Sequence, residues 1–540
     1  MRLNLHSRDA RGGYVIFAVL IVIVVLSLVA YRFTESMSAE VRASAHANDD
    51  AQAKLAAVSG LHYAAAVLSD RATFYGELEG NPFDNDDVFD RVEVPAAGTT
   101  TRKKAYFDIR AVGLTDSGSY EQRFGVIDEG GKININSMIA LDPKGEVLYA
   151  ALMKLPNMTG AIADAIVDWV DADDVPRAEG AESEEYASRP NPYKAKNGPL
   201  NSLDELLLVR DVTPELLYGG DKNRNGVQDD GETGTDRGWA DYLTVYGREL
   251  NVDMSGTVRT YINGDNLTTL LQQITPGLGE ELANYVVACK LFSVTKTDAA
   301  GNVPGTATGT LTGSGGGITI TFSGAGVAQK PVVAATPDLL KVAVQAKMAT
   351  TFTGGNRVKS LTDIMYTRIT LPKAPGAKAD DPDVVAFSPL LNPANRTALL
   401  GALMDKTTVK QAVELVPRIN VNTAPLEVLM AVPNMTDAYA AAIIAARPTQ
   451  LPSDPGTVSG AWVITAANVP PDVFKKMEKY LTGSTMVYRV QAVGYLDGGG
   501  PVARMEAVID TNQGAPRFLH VRDLTDLDNP RGFEPSKASP

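Results

Sequence analysis

The chain has a single cysteine in 540 residues, Cys289. No internal disulfide can form, so stability has to come from burial, hydrogen bonding or bound metal. A lone Cys within ELANYVVACKLF reads as a small apolar core residue and not as a nucleophile. Histidine is nearly as scarce: His6, His46, His62 and His520 are all there are. No Gly-x-Ser-x-Gly elbow occurs, and the run Gly354–Ser360 has Val358 where a phosphate loop needs glycine before its lysine. With no legible nucleophile–base pair, the chain reads as non-enzymatic. Positive charge is in deficit too, with 50 Lys and Arg against 64 Asp and Glu and a net charge of -14. Nucleic-acid binding rests on cationic neutralisation of phosphates, so this balance argues against DNA or RNA as a partner.

Two further absences mark the N-terminus. Tyr14 to Tyr31 holds no charged residue, and from Tyr14 to Tyr75 there is no proline and one glycine, Gly60. At about 1.5 Å per helical residue, the first stretch crosses most of a hydrocarbon core of about 30 Å. Arg2, Arg8 and Arg11 precede it and Arg32 comes directly after, which keeps the short N-terminus cytoplasmic and sends the rest of the chain to the other side. The second absence predicts one helix over 14–75, whose apolar half anchors and whose polar half lifts a head off the surface. A cleaved secretory signal shares the basic start but needs a small-x-small cleavage site. Ala30-Tyr31-Arg32 and Met37-Ser38-Ala39 are poor ones.

Arg11-Gly12-Gly13-Tyr14, a basic leader and glycine before an aromatic residue that opens the apolar helix, resembles the processing site of type IV pilins and type II secretion pseudopilins. The resemblance implies that a prepilin peptidase cuts after Gly13 and methylates the new N-terminus, Tyr14. Ala18 stands at the fifth mature position, where most of these proteins carry Glu. A buried glutamate is tolerable only when a neighbour's amine pairs with it, and a subunit at a filament tip has no neighbour ahead to supply one. The family that lacks this Glu is the minor pseudopilin K of type II secretion.

At this length two or more domains are expected. Tyr106–Val112 and Glu121–Ile127 alternate around a Ser-Gly turn, and Tyr488–Gly494 and Ala503–Asp510 do so around Asp497–Gly500; both read as β-hairpins. FDIRAVG matches YRVQAVG, so the two hairpins are expected in one sheet flanking a long insertion. In pilin-like proteins such a sheet packs on the long helix. The expected fold is therefore α+β: a pilin-like long N-terminal helix on a small antiparallel sheet, with a large inserted, mainly α-helical domain. The divisions are a leader at 1–13, the helix at 14–75, the first part of the head at 76–132, the insertion at 133–484, the second part of the sheet at 485–527 and a flexible tail at 528–540.

The insertion carries repeats. Ile133-Asn134-Ile135-Asn136-Ser137 recurs as Ile419-Asn420-Val421-Asn422-Thr423, and LMKLPNMTG at 152–160 recurs as LMAVPNMTD at 429–437. A weaker copy starts at Tyr261-Ile262-Asn263, and Ser202–Leu207 has a partner in Ser360–Met365. These look like helix-hairpin-helix units. Some such modules grip DNA phosphates through a Gly-apolar-Gly turn, and Gly277-Leu278-Gly279 fits it. The other two copies do not, and Asp437 would oppose a phosphate. Thr295–Ala335 is Gly/Thr-rich, with an appended hairpin expected at 318–322, and Pro372–Asp383 reads as a linker.

Two acidic stretches suit a cation. Asp221 to Glu232 satisfies D-x-[DN]-x-[DN]-G-x5-E in full. Oxygens of Asp221, Asn223 and Asn225 converge on one ion, Val227 offers its carbonyl, Asp229 acts directly or through water, and Glu232 closes the cage; hard Ca2+ prefers such ligands. The second candidate is Asp171, Asp173, Asp174, Glu179 and Glu182. The run Asp168–Pro176, with Gly180-Ala181-Glu182 and Lys196–Leu200, is similar to the head of the pseudopilin K family, whose inserted domain binds calcium.

The resemblance covers the anchor and about 102–218 and 418–512, but not 250–410. It implies a single-pass inner-membrane protein with a periplasmic head. That protein caps a pseudopilus with the minor pseudopilins I and J on the major pseudopilin, initiating assembly and touching secreted cargo or the secretin. The alternative is a membrane-anchored helix-hairpin-helix protein of DNA binding or DNA uptake.

Overall fold

A computed structural model of the chain describes residues 11–95, 103–114, 120–225, 237–303, 309–314, 317–322, 332–350, 355–448, 454–512 and 514–527. The apolar run and the polar stretch after it form one helix, Arg11–Ser69, of 59 residues. It ends six residues short of the expected 14–75. The Asp70 carboxylate accepts the backbone N–H of Thr73 at 3.0 Å and caps a separate short helix, Arg71–Gly76, a local bond that competes with continuing the first. Large apolar side chains from Tyr14 to Val41 are exposed on this helix. Packing starts at Ala53.

From there Ala53, Ala57, Leu61, Ala64 and Leu68 recur every three or four residues and bury one helix face, the spacing of a stripe at 3.6 residues per turn. That face lies on Phe107, Ile109, Val490, Ala492, Ala507 and Ile509 of a sheet. The approach is close: a Cβ on Gly494 would meet the Ala53 carbonyl oxygen at 2.2 Å, and one on Gly60 would meet the Phe107 ring at 2.9 Å.

The sheet has seven strands, and its spine runs Val92–Glu93, Ala105–Leu114, Val487–Leu496, Ala503–Asp510, Arg517–Asp523. Tyr120–Phe124 pairs with Ala105–Leu114, and Ile127–Asp128 with Val487–Leu496. All pairings are antiparallel, and the two expected hairpins join through Gln491 opposite Arg110. The outermost strand, Arg517–Asp523, is an addition to the sequence reading, reached through an irregular register at Val508/Ile509.

Strand alternation sends the other side chains to the opposite face. There Arg110, Arg489, Gln491, Arg504, Glu506 and Asp510 are all buried apart from a partly exposed Arg489. The insertion covers them. Arg489 donates to Glu129 Oε1 at 2.7 Å and to Glu506 Oε1 at 2.8 Å, and Lys132 lies 3.3 Å from Glu129. Asp128 accepts from Asn420 and Thr423, both at 2.7 Å, from Gly130 N–H at 2.8 Å and from the Thr485 hydroxyl. It thereby ties the entry of the insertion to its exit.

The insertion has its own large core, holding Ile133, Leu148, Ile166, Trp239, Tyr285, Leu403 and Val463. Cys289 is buried in it, and burial pushes its thiol up, as expected of an inert core cysteine. Three short parallel strand pairs frame the insertion: Ile133–Asn134 with Leu243–Thr244, Thr260–Tyr261 with Thr407–Thr408, and Ile419–Asn420 with Leu481–Thr482. In LPNMT and VPNMT, Asn157 and Asn434 take positive φ (57° and 68°), and Thr159 and Thr436 cap the helices that come next. The third turn, Gly277-Leu278-Gly279, breaks the helix Leu267–Leu291 at Gly279, whose φ of 76° and ψ of 162° only glycine adopts readily.

The insertion is mainly helical, as expected, but not wholly so. Besides its helices it contains a six-stranded sheet in the order Gly309–Ser314, Gly317–Phe322, Val332–Ala334, Asp383–Phe387, Thr367–Thr370, Ser293–Lys296. The hairpin expected at 318–322 is part of it, and Asp383, read as linker, opens one of its strands.

Candidate metal centre

The acidic run at 168–182 is organised by the helix Gly160–Val170, which starts on a Thr159 cap. Asp164 and Asp168, one turn apart, share a face. Asp164 accepts from Arg177 Nε at 2.8 Å and from Glu179 N–H at 3.1 Å; Asp168 accepts from Arg177 N–H at 3.2 Å. Gly180 then passes so close to Asp168 that a Cβ would fall 1.8 Å from its Oδ2. The loop is folded back onto the helix end, which brings Glu182 against Asp171.

One oxygen each from Asp171, Asp173 and Glu182 lie within 4.8 Å of one another. Asp171 and Glu182 are buried, and Asp171 Oδ1 and both Glu182 oxygens have no hydrogen-bond partner. Such groups are costly unless neutralised by a proton or a cation. Burial first, then the charges of Asp168, Asp171 and Asp174, pushes Glu182 up to about 8. Burial, then Asp173 and Asp168, raises Asp171 to about 6. An all-oxygen donor set of this kind fits a hard divalent cation such as Ca2+.

Of the five residues expected here, three come together. Asp174 stands beside them, exposed, accepting from Ser183 N–H and Asn197 Nδ2, both at 3.4 Å, and the Ser183 bond holds its carboxyl low. Glu179 is exposed and its carboxylate lies beside Gly160, at the start of the helix and away from the trio. The sequence reading missed Asn197. Its Nδ2 donates to the Asp173 carbonyl at 2.6 Å and its Oδ1 is buried without a partner, a neutral oxygen next to the trio. The signal was an Asn-Gly-Pro run, since Asn197 takes positive φ (48°).

In the second loop, Asp221, Asn223 and Asn225 are described; Val227, Asp229 and Glu232 lie outside the described residues. Asn225 N–H donates to Asp221 Oδ1 and Asn223 Oδ1, both at 3.1 Å, so both side chains turn inward. The loop is docked on the charged face of the seven-stranded sheet. Arg504 donates to the carbonyls of Asn223 and Arg224, both at 3.0 Å, and Gln122 to that of Asn225. Burial brings the Arg504 guanidinium down to about 10. At the anchor, Gly13 lies within the long helix and Tyr14 is exposed at its apolar end; the leader before Arg11 lies outside the described residues. Among the described residues, one helix, Tyr14–Ser69, is long and apolar enough to cross a membrane.

The long apolar helix fits a single-pass anchor, and the sheet packed on its polar half together with the helix-rich insertion makes an α+β head. Two models of one family, type II secretion system (T2SS) protein K, match residues 131–218 and 419–457. In these two segments the chain is similar to that family. Among curated relatives, type II secretion system protein K of Pectobacterium carotovorum subsp. carotovorum is 40% identical over 55 residues, 10% of this chain and 17% of that protein. Its counterpart in Pseudomonas aeruginosa is 27% identical over 211 residues, 38% of this chain and 58% of that protein. The chain thus spans less than two thirds of either relative. A crystal structure of the GspK-GspI-GspJ complex from the enterotoxigenic Escherichia coli type 2 secretion system aligns over 90% of this chain and 99% of that one. At 11% identity and a TM-score of 0.35, it carries no argument.

Proposed function

We propose that the chain is a minor pseudopilin at the tip of the type II secretion pseudopilus, initiating assembly and contributing to protein export across the outer membrane. The observation that carries this reading is the pair of protein K segments, 131–218 and 419–457, mounted on an apolar rod. The rod supports it further. Phe33, Met37, Val41 and Leu55 are exposed along the helix, apolar surface suited to the long helices of other anchored subunits, by resemblance the minor pseudopilins I and J and the major pseudopilin. Ala18 in place of the usual Glu, and an insertion too bulky for stacked neighbours, favour the tip. The head lies in the periplasm, prepilin peptidase processes the chain between Gly13 and Tyr14, and the role is structural, not catalytic. The helix-hairpin-helix reading of the repeats rests on the paired Asn157 and Asn434 turns; in an acidic chain they serve packing and not DNA.

Calcium is part of the same proposal, held by Asp171, Asp173 and Glu182 with Asp174 beside them, and by the Asp221 to Glu232 loop. It would neutralise buried carboxylates and order loops that no disulfide ties. Labelling the protein on isolated pseudopili tests the placement: label confined to fibre ends is expected, and label along the shaft rejects it. A methylated Tyr14 at the mature N-terminus, seen by mass spectrometry, tests the processing. Chelation is expected to lower the melting temperature of the protein, and an unchanged melting temperature at saturating chelator rejects the structural calcium.

A further inference from the structure

The stretch between Leu250 and Lys410 lies outside both matched segments, yet it repeats the first framed unit bond for bond. In the first unit Asn136 clasps the backbone of Leu200, accepting its N–H at 2.8 Å and donating to its carbonyl at 2.9 Å. In the central unit Asn263 clasps Val358 in the same way, both bonds at 2.9 Å. Two residues on, Ser202 and Ser360 each cap a short 3-10 helix. Thr244 and Thr408, on the returning strands, each accept the N–H two residues ahead at 3.1 Å. Asn197 N–H donates to the Trp169 carbonyl, and Asn356 N–H to the Lys290 carbonyl, at 3.1 and 3.0 Å. In both units the loop thus closes over the end of the second helix.

What differs is the charge at that helix end. With Lys290 matching Trp169 as acceptor of the Asn N–H, Cys289 and Phe292 stand where the first unit has Asp168 and Asp171, so neither acid has a counterpart. Lys290, 5% exposed, donates instead to the Gly264 carbonyl in the turn ahead of the helix at 2.5 Å, and Asn356 Nδ2 donates to the carbonyls of Cys289 and Phe292 at the helix end at 3.2 and 2.6 Å. The third unit makes a similar choice: Arg447 donates to the carbonyls of Val421 and Ala424.

We infer that the central unit, Thr260–Thr408, is a copy of the calcium-bearing unit that has lost the acids at its helix end, with Asn356 closing the loop on that end and Lys290 tying the helix to its opening turn, so that the additional length of this chain folds without a divalent cation. The contrast with the first unit rests on the calcium reading above; the role of Lys290 does not. Hydrogen–deuterium exchange of the full chain in detergent separates the two. Chelator is expected to speed exchange in 160–182 and leave 267–291 unchanged. Lys290→Met, which removes the tie to the Gly264 carbonyl, is expected to speed exchange in 267–291 by about tenfold with or without chelator, and Lys290→Arg to restore protection. Equal loss of protection in both helices on chelation overturns the inference, as does a Lys290→Met protein that exchanges like the parent. No chelator response anywhere overturns the calcium reading while the central unit still meets the expectation of folding without metal.

Discussion

The two faces of the seven-stranded sheet are held by opposite means. One lies on the long helix through alanine, glycine and branched aliphatic side chains at near-contact backbone distance. The other carries ion pairs of buried carboxylates, Glu129 with Arg489 and Lys132, Arg489 with Glu506, and Asp510 with Arg517, and meets the insertion through Arg248 on Asp510 and through Arg504 and Lys132 on the carbonyls of Asn223 and Ala240. Apolar contact is tolerant of small shifts, whereas buried charges are stable only in the arrangement that pairs them. The difference suits the tasks: the helix face supplies adhesion, and the insertion face fixes where a large domain sits.

The contrast can be broken most severely on the charged face. Arg489→Ala leaves Glu506 buried without its ion-pair partner and Glu129 with Lys132 alone, and is expected to cost about 3–5 kcal/mol in denaturant unfolding. On the apolar face, Ile109→Ala opens a cavity under the helix and is expected to cost about 3 kcal/mol. Gly494→Ala, whose methyl would press on backbone that cannot swing aside, is expected to cost about 1–3 kcal/mol.

Acid sharpens the comparison further. Burial opposes ionisation of Glu129, but Arg489 and Lys132 outweigh it and hold the carboxyl down at about 2, below its ordinary 4.5. A depressed carboxyl contributes stability that is present above the unfolded value and is lost as pH falls through the folded one. The stability gap between the parent and Glu129→Gln should therefore be constant above about pH 4.5 and shrink from there towards about pH 2. Ile109→Ala should show no such dependence. Smallest of all, Lys54→Ala removes the exposed pair with Asp523 and is expected to leave the melting temperature unchanged.

Legibility in the sequence divides along the same two faces. The helix face was readable, because alternation in Tyr106–Val112 and Tyr488–Gly494 and the alanine-rich half of the helix are local patterns. The charged face was not. Arg489, Gln491 and Glu506 alternate like residues turned to solvent, and only the partners brought by the insertion bury them. Arg517–Asp523 escaped notice because an edge strand with Arg, His and Asp among its apolar residues has no clear inward face. The six-stranded sheet joins segments as distant as Val294 and Ile369 through short strands in Gly/Thr-rich sequence, where propensity is weak. At the metal centre the acidic residue types were visible but their grouping was not: Glu179 left the cluster and Asn197 entered its surroundings because of how the loop folds back at Gly180.

Between Gly13 and Gly60 the long helix contains neither glycine nor proline, and it meets the sheet with backbones nearly touching. Nothing along it acts as a universal joint. A quarter-turn or a push at its apolar end would reach the sheet as through a drive shaft, and would pass to the insertion where Arg248 grips Asp510 and Arg504 grips the Asn223 carbonyl on the opposite side.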